Sequence, residues 1–137
     1  MSRAARIAAL ARLAGIRREL EMAELRKAAE ARRAAEDRVA EVDAQRRAAR
    51  AALAETPGAL LGRQAEKFER WAEGERARRN MDLARLTAQW MDRRATAARA
   101  YGQGEVLDKL AEKARNEARE EAARRKLADQ PPDLARN

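Results

Sequence analysis

The stretch TPGALLG, residues 56–62, interrupts a chain that otherwise reads as helix. Long runs of Ala, Arg, Glu and Leu lie on both sides. Two readings compete: a flexible joint between independent parts, or a tight turn that folds one helix back on another. Pro57 biases Thr56 away from the α region, so a first helix ends near Glu55. Gly58 tolerates the left-handed conformation that closes helix ends, and Gly62 is an acceptable N-cap for a second helix. A loop of this length suits a connection between antiparallel helices. A flexible linker would be longer and richer in Gly and Ser. This one carries Leu60 and Leu61, which call for burial, so the turn reading is the stronger.

Composition supports a helical answer and restricts the rest. The 137 residues amount to one domain. Alanine supplies 36 of them, and only 26 are larger apolar residues, spread thinly along the chain. That is too dilute for a thick globular core, and it is the composition of long helices or coiled coils. Cys and His are both absent. This excludes a disulfide framework, a Cys/His zinc site, and His-based acid–base or nucleophile chemistry. The net charge of +8 points to acidic partners or to a solvated face with a basic bias. Arg outnumbers Lys 26 to 5, which favours planar, forked contacts to carboxylates. No apolar run approaches the roughly 18 residues of a membrane span. The first 18 residues hold five Arg and no acid. They fit a transit segment or a membrane-surface helix less well than one arm of a helix pair, because the helical pattern continues past them.

Each arm offers a seam at three- and four-residue spacing. In the first it runs Leu25, Ala28, Arg32, Ala35, Val39, Val42, Arg46, Ala49, Leu53. In the second it runs Leu83, Leu86, Trp90, Arg93, Ala97, Ala100, Gly104, Leu107, Ala111. A fold-back centred near residue 59 makes facing residue numbers add to about 118, and the two seams then map onto each other. Large residues fall opposite small ones, as close helices require. Arg32, Arg46, Arg76, Arg79 and Arg93 also lie on the seam, their stems covering apolar neighbours while the heads reach water. Gly15 falls opposite Gly102 and Gly104. Helical glycine costs about 1 kcal/mol relative to Ala, so close backbone approach is expected there in preference to a hinge.

The expected fold is therefore all-α: a long antiparallel two-helix coiled-coil hairpin, with the second helix longer. Helix 1 spans about 3–55, the turn 56–62 and helix 2 about 63–128, in one domain over 1–130, with a disordered tail at 131–137. Residues 115–128 have no partner in the first arm and should project as a charged single helix, supported by Glu120–Arg124 and Glu121–Arg125 pairs. Such a thin hairpin is expected to be marginally stable alone.

No phosphate-binding glycine loop is present, and the only serine is Ser2. Carboxylates on a two-helix hairpin face solvent, not a cleft. An enzyme is not expected, and neither a cofactor nor a metal has a site. The basic cluster RARR, residues 76–79, and the Arg-rich N-terminus would allow non-specific phosphate contacts. However, Glu66, Glu69, Glu73 and Glu75 precede RARR, and aromatics for base stacking are few. Phe68 and Trp71, three apart just after the turn, read either as a local cap with Leu60 and Leu61 or as an exposed partner contact.

The layout resembles the FliJ/YscO family, the stalk proteins of flagellar and type III secretion export ATPases. It shares a basic first helix, a turn near the middle and an aromatic step after it at Phe68 and Trp71. A long second helix comes next and ends in EVLDKLAEKARNEAREEAARRKLADQ. The resemblance implies a non-enzymatic cytoplasmic coupling element of a bacterial export apparatus, peripheral to the membrane. The termini end, with Arg3, Arg6, Arg115, Arg119, Arg124 and Arg125, would engage carboxylates in the pore of a hexameric ATPase. The turn end, with Phe68 and Trp71, would meet the cytoplasmic domain of the export gate, and escort of export chaperones is a family role as well. A small-molecule substrate and a specific nucleic-acid target are not implied. A generic coiled-coil scaffold or a basic nucleic-acid-associated coiled coil is the alternative.

Overall fold

The computed structural model describes residues 2–56 and 58–131. Pro57, the side chains of residues 59–61 and the tail from residue 132 lie outside the described residues, as does any packing of Phe68 and Trp71 on Leu60 and Leu61. Two helices make up the fold: α1 over Arg3–Glu55 and α2 over Ala59–Ala128. It is an all-α helical hairpin in which the second helix is the longer.

The helix ends are set by local chemistry. Ser2 caps α1, its Oγ accepting from the Ala5 N–H at 3.1 Å. At the other end Thr56 closes the last turn twice: its N–H donates to Leu53 O at 3.3 Å and its hydroxyl to Ala52 O at 3.0 Å. The next helix starts earlier than the expected residue 63. The Gly62 N–H donates to Gly58 O at 3.4 Å, which makes Gly58 the N-cap and puts Gly62 inside the first turn. Ala59, Leu60 and Leu61 are strong helix formers, and they extend the helix once Pro57 is behind them.

The chain divides into two compact units. In the first, Ala23–Ala95, the two helices pack around Ala35, Val42 and Ala72. In the second, Met1–Met22 with Thr96–Asn137, they pack around Ala97, Ala100 and Ala111. Within each unit the sides of the hairpin run in the expected register: cross-helix partners such as Arg46–Glu69, Arg76–Asp43, Arg18–Tyr101 and Arg32–Trp90 add to between 115 and 122. Every seam position in α1 is at least half-buried, and in α2 Arg76 and Arg93 are exposed. Ala72, fully buried, continues the α2 seam backwards beyond Leu83.

Two expectations about the seam need correction. Its arginine heads do not simply turn to water: Arg46, Arg76, Arg79 and Arg93 reach carboxylates on the opposite helix. Nor do the glycines mark close backbone approach. A Cβ at Gly15 or Gly102 would meet nothing within 4 Å, and one at Gly104 would meet only the Arg18 side chain, at 3.6 Å. Gly104 is buried because that arginine drapes across it, its guanidinium lying 5.3 Å from the Tyr101 ring.

These packing details fix the effects of substitution. Gly15→Ala and Gly74→Ala enter open space on helix, so each should raise unfolding free energy by up to about 1 kcal/mol. Val42 is the largest fully buried side chain among the described residues, and Val42→Ala should cost about 2 kcal/mol. Thermal or urea unfolding followed by circular dichroism measures all three.

Candidate partner-binding surfaces

In the unit around the turn, one carboxylate gathers two arginines. Glu69 on α2 accepts from Arg46 at 2.7 and 3.1 Å and from Arg50 at 2.9 and 3.3 Å, both one helix away on α1. Arg46 and Arg50 are four apart and share a face of α1, so a single glutamate between them is held by two forks. The hydrogen bonds from Arg50 and then Arg46 hold the Glu69 carboxyl below the usual glutamate range. The same contact raises Arg46 above the ordinary arginine value.

Further along this unit, Arg79 links three groups: Arg38 O at 2.7 Å, Glu41 at 3.4 Å and Glu75 at 3.3 Å. Arg76 donates to Asp43 at 3.0 Å, and Arg78 pairs with Glu75. Glu75 is also held below the usual range, first by Arg78 and then by Arg79. All three arginines of the RARR cluster are thus engaged by carboxylates of the chain itself. This weighs against the cluster as a free phosphate-binding site. Arg32 lies over the Trp90 ring at 4.5 Å, with Arg94 at 5.4 Å, and Arg32 also reaches Glu36 at 3.4 Å.

Phe68 and Trp71 lie beside this network on α2. Their rings pack together, centroids 5.5 Å apart and planes at 38°. Trp71 is 45% exposed while Phe68 is half-buried. The pair therefore presents an apolar step to solvent, its two rings in tilted contact.

In the other unit, the six arginines assigned to the termini end are all exposed. Register places Arg3, the first residue of α1, level with Arg115. Ala114 is the last half-buried residue of α2; residues 115–131 are exposed throughout. Arg119, Arg124 and Arg125 lie on this extension. Arg124 reaches Glu120 at 3.7 Å and Arg125 reaches Glu121 at 2.9 Å, the expected pairs four residues apart. Arg115 borders a polar hollow of about 410 Å³ with Arg12, Asp108 and Glu112.

The first-turn serine, the Thr56 cap and the shared clamp on Glu69 were not legible as functional or structural residues from patterning. The clamp had a signal: Arg46, Arg50 and Glu69 fall level in the register once the turn is placed. Among the described residues no cluster of three or more Asp or Glu is gathered as metal ligands would be, and no helix is long and apolar enough to cross a membrane. Comparison with protein-family models, with curated proteins and with solved structures returns no match.

The clamp has a pH signature. Folded Glu69 releases its proton at lower pH than an unfolded glutamate does, so it favours folding above the ordinary glutamate range. That contribution is lost as pH falls through the folded value. Glu69→Gln should lower Tm near neutrality and make Tm less dependent on pH in acid than in the parent chain. Parallel acid profiles for the two proteins would mean that the clamp does not contribute.

Proposed function

We propose that this chain is a non-enzymatic coiled-coil stalk or adaptor that couples a hexameric flagellar or type III export ATPase to the export gate. The observation that carries the reading is the α2 extension past Ala114, exposed along residues 115–131 and bearing Arg115, Arg119, Arg124 and Arg125. A helix exposed on every face that carries four arginines can offer guanidinium groups to carboxylates lining a pore. Four acids, Glu117, Glu120, Glu121 and Asp129, offset most of its five positive charges, so the contact is one of exchangeable, solvent-exposed pairs. Such pairs make and break readily, which suits a moving contact more than a permanent one. Arg3 and Arg6 add to the same end from α1.

The stacked Phe68–Trp71 step near the turn supports the second contact, with the cytoplasmic domain of an export-gate membrane protein. A partly exposed tryptophan backed by a half-buried phenylalanine is a typical anchor for a partner interface. Escort of export chaperones belongs to the same reading. The chain would act at the cytoplasmic face of the bacterial membrane, peripheral to it.

Two variants separate the two contacts. Phe68→Ala with Trp71→Ala should impair export while leaving stimulation of the ATPase largely intact. Loss of stimulation instead would put the ring contact near the turn. Truncation after Lys113 should leave the hairpin folded, by circular dichroism, yet unable to stimulate ATP turnover. Full stimulation by the truncated chain would rule out the extension as the ring contact.

A further inference from the structure

In the unit built from Met1–Met22 and Thr96–Asn137, the two flanks of the helix pair differ in chemistry. On one flank α2 presents Tyr101, Glu105, Asp108 and Glu112 at three- and four-residue spacing, and the hollow there is polar and of mixed charge. On the other flank α2 presents Arg99, Gly102, Val106, Leu110 and Lys113 at the same spacing, with no acid among them. The facing edge of α1 presents Leu10, Leu13, Arg17 and Leu20, again without an acid. Leu13 is 62% exposed and Val106 57% exposed.

Two hollows lie on this side, the first on α2 alone and the second between the two helices. One, of about 490 Å³, is lined by Arg99, Gly102, Gln103, Val106 and Leu107. The other, of about 210 Å³, is bordered by Leu10, Leu13, Arg17, Gln103 and Leu107. They share Gln103 and Leu107, so they form one trough along one side of the unit. Gly102 leaves a notch in it: a Cβ at that position would touch nothing within 4 Å.

We propose that this trough is the docking site for an amphipathic helix of a partner protein whose polar face is acidic. Three features select that occupant. The trough is shallow, apolar along its floor and notched at Gly102, a surface on which the apolar side chains of a third helix at i, i+3, i+4 and i+7 can rest. The only charged residues lining it are Arg17 and Arg99, which can pair with carboxylates flanking an apolar stripe. A second copy of the same face is disfavoured by that same charge, since like would meet like. The inference is independent of the export reading, because it rests on this unit alone and requires no ATPase.

The test uses the full chain and a phage-displayed library of 25-residue helices with a fixed leucine stripe and randomised polar positions. Selection should enrich helices with an excess of Asp and Glu. A synthetic peptide of an enriched sequence should bind at least tenfold more tightly than its Lys-for-Glu twin. Leu13→Glu with Val106→Glu should weaken that peptide at least tenfold, and Glu105→Gln on the other flank should not. Both replaced residues of the double variant are exposed, and an unchanged circular dichroism melt confirms that it folds; an unfolded double variant is replaced by Leu13→Ser with Val106→Ser, read the same way. No enrichment, enrichment of neutral or basic helices, or binding insensitive to the trough variants would each overturn the proposal. So would co-sedimentation with phosphatidylglycerol vesicles that the trough variants abolish, which would assign the face to a membrane. Self-association that they abolish would assign it to a second copy.

Discussion

The scarcity of large apolar side chains at the helix–helix contact governs everything else in this fold. Of the six buried apolar residues among those described, five are alanines and one is Val42. An alanine contact lets helix axes come closer than leucine would, and it fills the narrow space completely. It also removes little apolar area from water at each position. A hairpin built this way needs long side chains on its flanks to reach across and cover what the alanines leave. Arginine fills that position repeatedly, with a stem that packs and a head that binds.

The result is an interface in which apolar contact and charge pairing are interleaved along the same residues. Arg46 has only 19% of its side chain exposed, and its head still meets Glu69 at 2.7 Å. Arg32 lies across Trp90, and Arg18 lies across Tyr101 and Gly104. In these places an arginine occupies the position that a leucine would hold in a leucine-rich coiled coil. The remaining aromatics, Phe68 and Trp71, lie where the chain has just turned, and their mutual stacking leaves one ring half in solvent.

Much of this architecture was legible from residue spacing. Pro57 and Gly58 located the turn, and the two seams agreed on a register that Arg46–Glu69 and Arg18–Tyr101 now display. Arg93 departs from the seam because its guanidinium extends to Glu24, at 4.0 Å, and leaves the side chain outside. Ala72 escaped notice because the large anchors stop at Leu83, although Arg79, Arg76 and Ala72 continue the same spacing. The glycines misled for a different reason. A helical glycine carries an energetic cost that suggests a purpose, but the space around Gly15, Gly74 and Gly102 is open, and no packing requires them. Individual side-chain partnerships, such as the two arginines on Glu69, depend on rotamers that spacing alone leaves open. The trough beside Val106 was not read from spacing, although the seam through Ala100 and Gly104 already left Val106 outside it. The docking surfaces assigned to the six arginines and to the aromatic pair rest on family resemblance and on exposure.

An interface of near-identical small side chains has a further consequence. One buried alanine looks much like another a heptad away, so the methyl groups alone do little to prefer one alignment over another. What singles out the native alignment is the sparse set of irregular features: Val42 in its pocket, Glu69 between two arginines, Arg79 on Arg38 O, and Trp90 under Arg32. Loss of several of these together would remove the markers of position before it removed the attraction between the helices. The characteristic failure of such a chain is slippage into a shifted, still helical pairing, invisible to a measure of helix content.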